Sequence, residues 1–95
     1  MIFQYEANEV FRFAEEQLKM YFSACVSQSD RYVFHLGKGE EFLAKWHLRA
    51  DALRYDGFYL KRAGDDIVIG GNFERSVLFG VYELLERQGC VFVIG

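Results

Sequence analysis

The segment from Glu74 to Gln88 places the tightest constraint on the fold. Val77, Leu78, Val81, Leu84 and Leu85 recur at helical spacing and build one apolar face, while Phe79 and Tyr82 lie off it. A helix that is apolar beyond a single face has to be covered on two sides. Two short runs rich in β-branched and aromatic residues come before it, Gly57-Phe58-Tyr59-Leu60-Lys61-Arg62 and Asp66-Ile67-Val68-Ile69-Gly70, joined by Ala63-Gly64-Asp65. Gly and Asp supply the positive φ that a tight hairpin requires, so these runs read as two antiparallel strands. Gly70-Gly71-Asn72 then breaks the sheet; Asn72 is placed to cap the helix and Glu74 lies in its first turn. Glu83 and Arg87 form an i,i+4 pair, and Gly89 supplies a left-handed exit. Cys90-Val91-Phe92-Val93-Ile94 reads as a last, fully apolar strand.

The first half repeats the pattern. Ala7, Val10, Phe11, Ala14, Leu18, Tyr21, Phe22 and Cys25 form one stripe at three and four spacings, with Glu9, Arg12, Glu15, Glu16 and Lys19 on the other side. This predicts a helix capped by Asn8 and ending near Ser27-Gln28-Ser29-Asp30. Ile2 to Tyr5 suits a short strand, and Arg31 to Leu36 a second strand that stops at Gly37-Lys38-Gly39. Phe42, Leu43 and Trp46 suggest a short helix between Glu40 and Asp51. The order β-α-β-(α)-β-β-α-β predicts an α/β (α+β) two-layer sandwich, with a mixed β-sheet of four to five strands and two main helices. At 95 residues the chain is a single domain, 1–95.

Composition excludes several classes. An apolar fraction of 52% rules out a disordered tail. A net charge of −3 argues against a nucleic-acid partner or an anionic membrane surface. No apolar run is long enough to span a bilayer, and the start Met1-Ile2-Phe3-Gln4-Tyr5-Glu6 has no signal-peptide pattern. Cys25 and Cys90 are too few for a disulfide scaffold and are expected to be two buried free thiols rather than one bridge. Seventeen aromatics (ten Phe, six Tyr, one Trp) exceed what one small sheet and two helices readily hide.

Chemistry-bearing motifs are sparse. His35 and His47 have no ligand-type residue at metal spacing, so one reads as a strand histidine and the other as solvent-facing. Gly37-Lys38-Gly39-Glu40 lacks the Walker spacing, and Gly70-Gly71-Asn72 lacks the three-glycine dinucleotide pattern, so both read as turns. Asp65-Asp66 and Glu40-Glu41 are adjacent rather than facing pairs. Trp46 with Tyr55, Phe58 and Tyr59 offers a stacking platform on paper, although a core or interface role is the commoner fate of such residues. No catalytic residue, metal or cofactor is expected in this chain alone.

The stretch Asp56-Gly57-Phe58-Tyr59-Leu60, the hairpin, Gly71-Asn72-Phe73-Glu74-Arg75-Ser76-Val77-Leu78-Phe79-Gly80-Val81-Tyr82-Glu83-Leu84-Leu85-Glu86 and Gly89-Cys90-Val91-Phe92 resembles the small N-terminal domain of the α-glucuronidases of glycoside hydrolase family 67. The second domain of β-N-acetylhexosaminidases has the same plan. Phe13-Ala14-Glu15-Glu16-Gln17-Leu18-Lys19-Met20-Tyr21 is similar to the first helix of that domain, while Gly39 to Tyr55 matches poorly. Ser76, Phe79 and Val91-Phe92 depart from the family pattern. The resemblance implies a non-catalytic accessory domain, excised from a longer polysaccharide-degrading enzyme, that packs on a following (β/α)₈ catalytic barrel. Carbohydrate would then be met through the parent, which the resemblance places in the secreted or periplasmic class. Asn72, Arg75, Phe79, Tyr82 and Phe92 are the expected contacts with the barrel. Helix capping by Asn72 and a solvated charge at Arg75 are the competing readings. An independent interaction or oligomerisation module with an aromatic interface is the alternative function.

Overall fold

The computed structural model describes residues 1–89. Asn8 starts the first helix as its sequence predicts, its side-chain oxygen accepting from the N–H groups of Val10 and Phe11. The helix runs as α1 (Glu9–Gln17), a π-helical turn (Leu18–Phe22) and α2 (Ser23–Cys25). Phe11, Ala14, Leu18 and Phe22 are its buried stripe. The wide turn inserts an extra residue and rotates α2 off that stripe. Cys25 is therefore exposed, not a core thiol, and its sulfur is disulfide-bonded rather than free. Cys90 and the strand expected at Cys90 to Ile94 lie outside the described residues.

The remaining elements are β1 (Ile2–Gln4), β2 (Val33–Lys38), α3 (Gly39–Lys45), β3 (Phe58–Ala63), β4 (Asp66–Gly71) and α4 (Glu74–Arg87). The sheet is mixed, as predicted, in the order β1-β2-β4-β3. β1, β2 and β4 are parallel, and β3 returns antiparallel to β4 through the Gly64-Asp65 turn, where Gly64 has φ 63°. Both ends of β2 differ from the sequence reading by two residues, and the other strands by one at most. Arg31 falls in a 3₁₀ turn (Ser29–Arg31), and β2 runs on through Gly37 to Lys38 because β4 pairs with it along its full length.

Side chains alternate across the sheet. Phe34, Leu36, Ile67 and Ile69 face α1 and α4 and form the main core with Val77, Val81, Leu84 and Leu85. Phe3 stacks flat on Phe34 at 5.2 Å, and Phe22 meets Phe34 edge-on at 5.1 Å. The helices α1 and α4 also touch each other, which supplies the second cover that the apolar breadth of α4 demands.

The opposite face carries Gly37 and Gly70 side by side in register. Their missing side chains leave the depression in which Phe42 and Leu43 of α3 sit, with Leu43 and Val68 fully buried. The short helix predicted after Gly39 thus covers the second side of the sheet. It ends in a Schellman motif: the N–H of His47 donates to Ala44 and the N–H of Leu48 to Leu43. The left-handed position of that motif is His47, φ 59°, exposed. Glycine takes this conformation without strain. His47→Gly is expected to stabilise the chain by about 0.5–1 kcal/mol, read as a higher urea midpoint at unchanged slope.

Candidate functional site

The parallel strands β1, β2 and β4 end at one edge of the sheet, and β3 begins there. Several polar residues beside the strand ends at that edge are tied to one another. Lys38, at the end of β2, forms an ion pair with Glu74 of α4 at 2.7 Å. Asn8 donates its amide to the same carboxylate at 3.4 Å, so one acid ties the ends of β2 and β4 to the start of α1. The Lys38 ammonium, with hydrogen bonds from the Glu74 backbone and Asn8, holds the Glu74 carboxyl below its usual range. Arg75 forms an ion pair with Asp56 and lies over the Phe73 ring at 5.6 Å.

Asn72 does not cap α4. The backbone is extended at Phe73, which takes the cap position without a side-chain bond, and the Asn72 amide donates to the carbonyl of Ala50. The helix therefore begins one residue later than the local sequence assigns, and the Nδ2 bond to the 3₁₀ turn Ala50–Ala52 orients the Asn72 side chain instead. Arg75 is more than a solvated charge, since it has both a carboxylate and a ring, although pairs this exposed contribute little stability. Phe79 is exposed (44%) as expected. Tyr82 is half-buried, with its hydroxyl pushed up by burial and then by Tyr21. Phe92 lies outside the described residues.

Two further aromatic residues at this edge are exposed. Phe73 is 49% exposed. Tyr55 is 86% exposed at φ 46°, in a turn closed by the Gly57 N–H on the Arg54 carbonyl. Asp56-Gly57 ahead of a strand is the local signal for that turn. The platform drawn from Trp46, Tyr55, Phe58 and Tyr59 does not assemble. Trp46 lies against His35, Tyr55 points into solvent, and Phe58 packs beside Gly80 on the α4 face.

A groove of about 600 Å³ opens at the ends of β1 and β2, between the loop Gln4 to Asn8 and helix α3. Its wall includes His35, whose Nε2 is 2.8 Å from Asp66 Oδ1 and whose ring is 4.6 Å from that of Trp46. The Trp46 carbonyl accepts from Lys61 Nζ at 2.7 Å. Tyr5 borders the groove, and its hydroxyl is raised by burial and by the Glu15 carboxylate. His35 is thus a strand histidine with a carboxylate partner, and His47 is the exposed one, as the sequence suggests. Among the described residues no group of three potential ligands could hold a metal ion, and no helix is long and apolar enough to cross a membrane.

Searches against protein-family models, curated proteins and solved structures find no match for this chain. The glycoside hydrolase resemblance accordingly rests on the residue pattern from Asp56 to Phe92 and on the first helix.

Proposed function

We propose that this chain is a non-catalytic accessory domain of a carbohydrate-active glycoside hydrolase, α-glucuronidase-like or hexosaminidase-like, that packs on a following (β/α)₈ barrel. The observation that carries this reading is on α4 and its cap. Val77, Val81, Leu84 and Leu85 are buried, whereas Phe79 and Phe73, the latter under the Arg75 guanidinium, stay about half exposed. Apolar surface of this kind, rimmed by charge, is what an interdomain contact covers. The aromatic surplus of the sequence then has a use beyond the core. The buried stripe of α4 anchors this surface to the core, so it is presented on a regular element. A disulfide at Cys25 supports a parent that matures in an oxidising compartment, the class that the resemblance implies.

Amide hydrogen exchange, compared between the 95-residue chain and the full product of its gene, tests this reading. The amides from Phe73 to Tyr82 are expected to exchange at least tenfold more slowly in the full product. Equal exchange in both, or a gene product that ends at Gly95, overturns it. Self-association of the 95-residue chain in sedimentation, with the same amides protected in the oligomer, would replace the barrel by a second copy.

A further inference from the structure

We infer that the groove at the carboxyl ends of β1 and β2 is a binding site for a neutral saccharide of one or two rings. Its position is set by the chain path. β1 continues into α1 on one face of the sheet, and β2 continues into α3 on the other, so the two connections diverge. Adjacent parallel strands whose connections part in this way leave a crevice outside their carboxyl ends, which is where α/β sheets take up ligands. The volume of about 600 Å³ lies in the range of small-ligand sites.

The chemistry of the wall selects among ligands. Ring surface comes from Trp46, Phe42 and Tyr5, and hydrogen-bonding groups come from Gln4, Glu41 and Lys45. Aromatic rings beside hydrogen-bonding side chains match a molecule with one hydrophobic C–H face and a rim of hydroxyls. Charge argues against an anion. The wall holds two acids, Glu6 and Glu41, against two lysines, Lys38 and Lys45, and Lys38 is already committed to Glu74. A phosphate or polycarboxylate would need a surplus of cations that this groove lacks. Part of the wall is also held in place before any ligand arrives. His35 is held by Asp66 and Trp46, the Trp46 carbonyl by Lys61, and Asn8 by its cap and by Glu74. Groups already ordered lose less freedom on binding. The groove adjoins the first turn of α4 through the Lys38–Glu74 pair, but none of its wall residues lies on α4, so saccharide titration and the exchange comparison read different residues.

Trp46 is the only tryptophan, so its fluorescence reports on the groove directly. Titration of the 95-residue chain with cellobiose or xylobiose is expected to give a saturable change with a Kd of about 1 mM, and inorganic phosphate is expected to give none. Glu41 and Lys45 are exposed on α3, so Glu41→Gln and Lys45→Ala leave the core untouched. Each is expected to weaken binding by at least threefold with an unchanged circular dichroism spectrum. Nitrogen–proton correlation spectra should show the shifted amides clustered in 4–8, 35–38 and 41–46. No saturable change with either disaccharide at tens of millimolar overturns the inference. So does tighter binding of phosphate, or full affinity in both variants.

Discussion

Replacing Phe34 by alanine is expected to lower the unfolding free energy by about 3–5 kcal/mol, the cost of emptying a buried aromatic site that cannot collapse. Phe34 is fully buried and lies on β2, an interior strand of the sheet. Its ring is the common partner of Phe3 on β1 and Phe22 in the π turn, so one truncation removes the contact of two other elements. A domain of this size has a total stability of roughly 5–15 kcal/mol, and the loss is a large share of it. Phe34→Leu keeps most of the volume and should cost less than about 2 kcal/mol. Urea unfolding followed by circular dichroism separates the two. If the alanine variant loses less than the leucine variant, the three rings do not act as one cluster.

Gly37→Ala should be the next most damaging change, and for the opposite reason. A Cβ at Gly37 would fall within the ring of Phe42, while Gly70 beside it already has Phe42 and Leu43 side-chain atoms 2.9 Å from where a Cβ would stand. The ring has nowhere to retreat on that side, and α3 must lift from the sheet. Overpacking of this kind costs about 2–3 kcal/mol, or roughly 10–20 °C in Tm for a chain of this length. The cause can be tested separately from the effect. Adding Phe42→Ala to Gly37→Ala should return at least about 1 kcal/mol relative to the sum of the single changes, because the two residues share one space. Strict additivity in thermal unfolding would refute the steric account.

Local patterns in the sequence were legible because their causes are local. The Asn8 cap, the Gly64-Asp65 turn, the Glu83–Arg87 pair at 3.4 Å and the left-handed Gly89 all arise from residues within a few positions of each other. What the sequence hid depends on chain segments meeting from a distance. The Asn72 amide bonds to Ala50, which is 22 positions away, and the helix beside it takes Phe73 at its cap position instead. His35 finds Asp66 because β2 and β4 lie side by side in parallel, and no spacing rule connects positions 35 and 66. Cys25 keeps helical periodicity in the sequence, but one wide turn upstream rotates it into solvent. The groove was invisible for the same reason. Its wall is drawn from three separate stretches that meet only once β1 has paired with β2. The exposed aromatics were half legible: the surplus could be counted, and Phe79 named, but Phe73 and Tyr55 owe their exposure to turns at the sheet edge.

The shortness of β1 has a consequence for the order in which this molecule assembles. Its three residues pair with β2 alone among the strands, and that pairing closes a loop of roughly thirty residues. The β3–β4 hairpin and α4 are contiguous in the chain and can form quickly from near neighbours. The N-terminal strand is then the last piece to dock and the first to detach, a low-energy opening that need not involve the rest of the fold. One wall of the groove comes and goes with it. A sugar lodged against that wall would act as a clasp on the final strand, slowing its release by mass action and tying occupancy of the groove to the integrity of the chain's beginning.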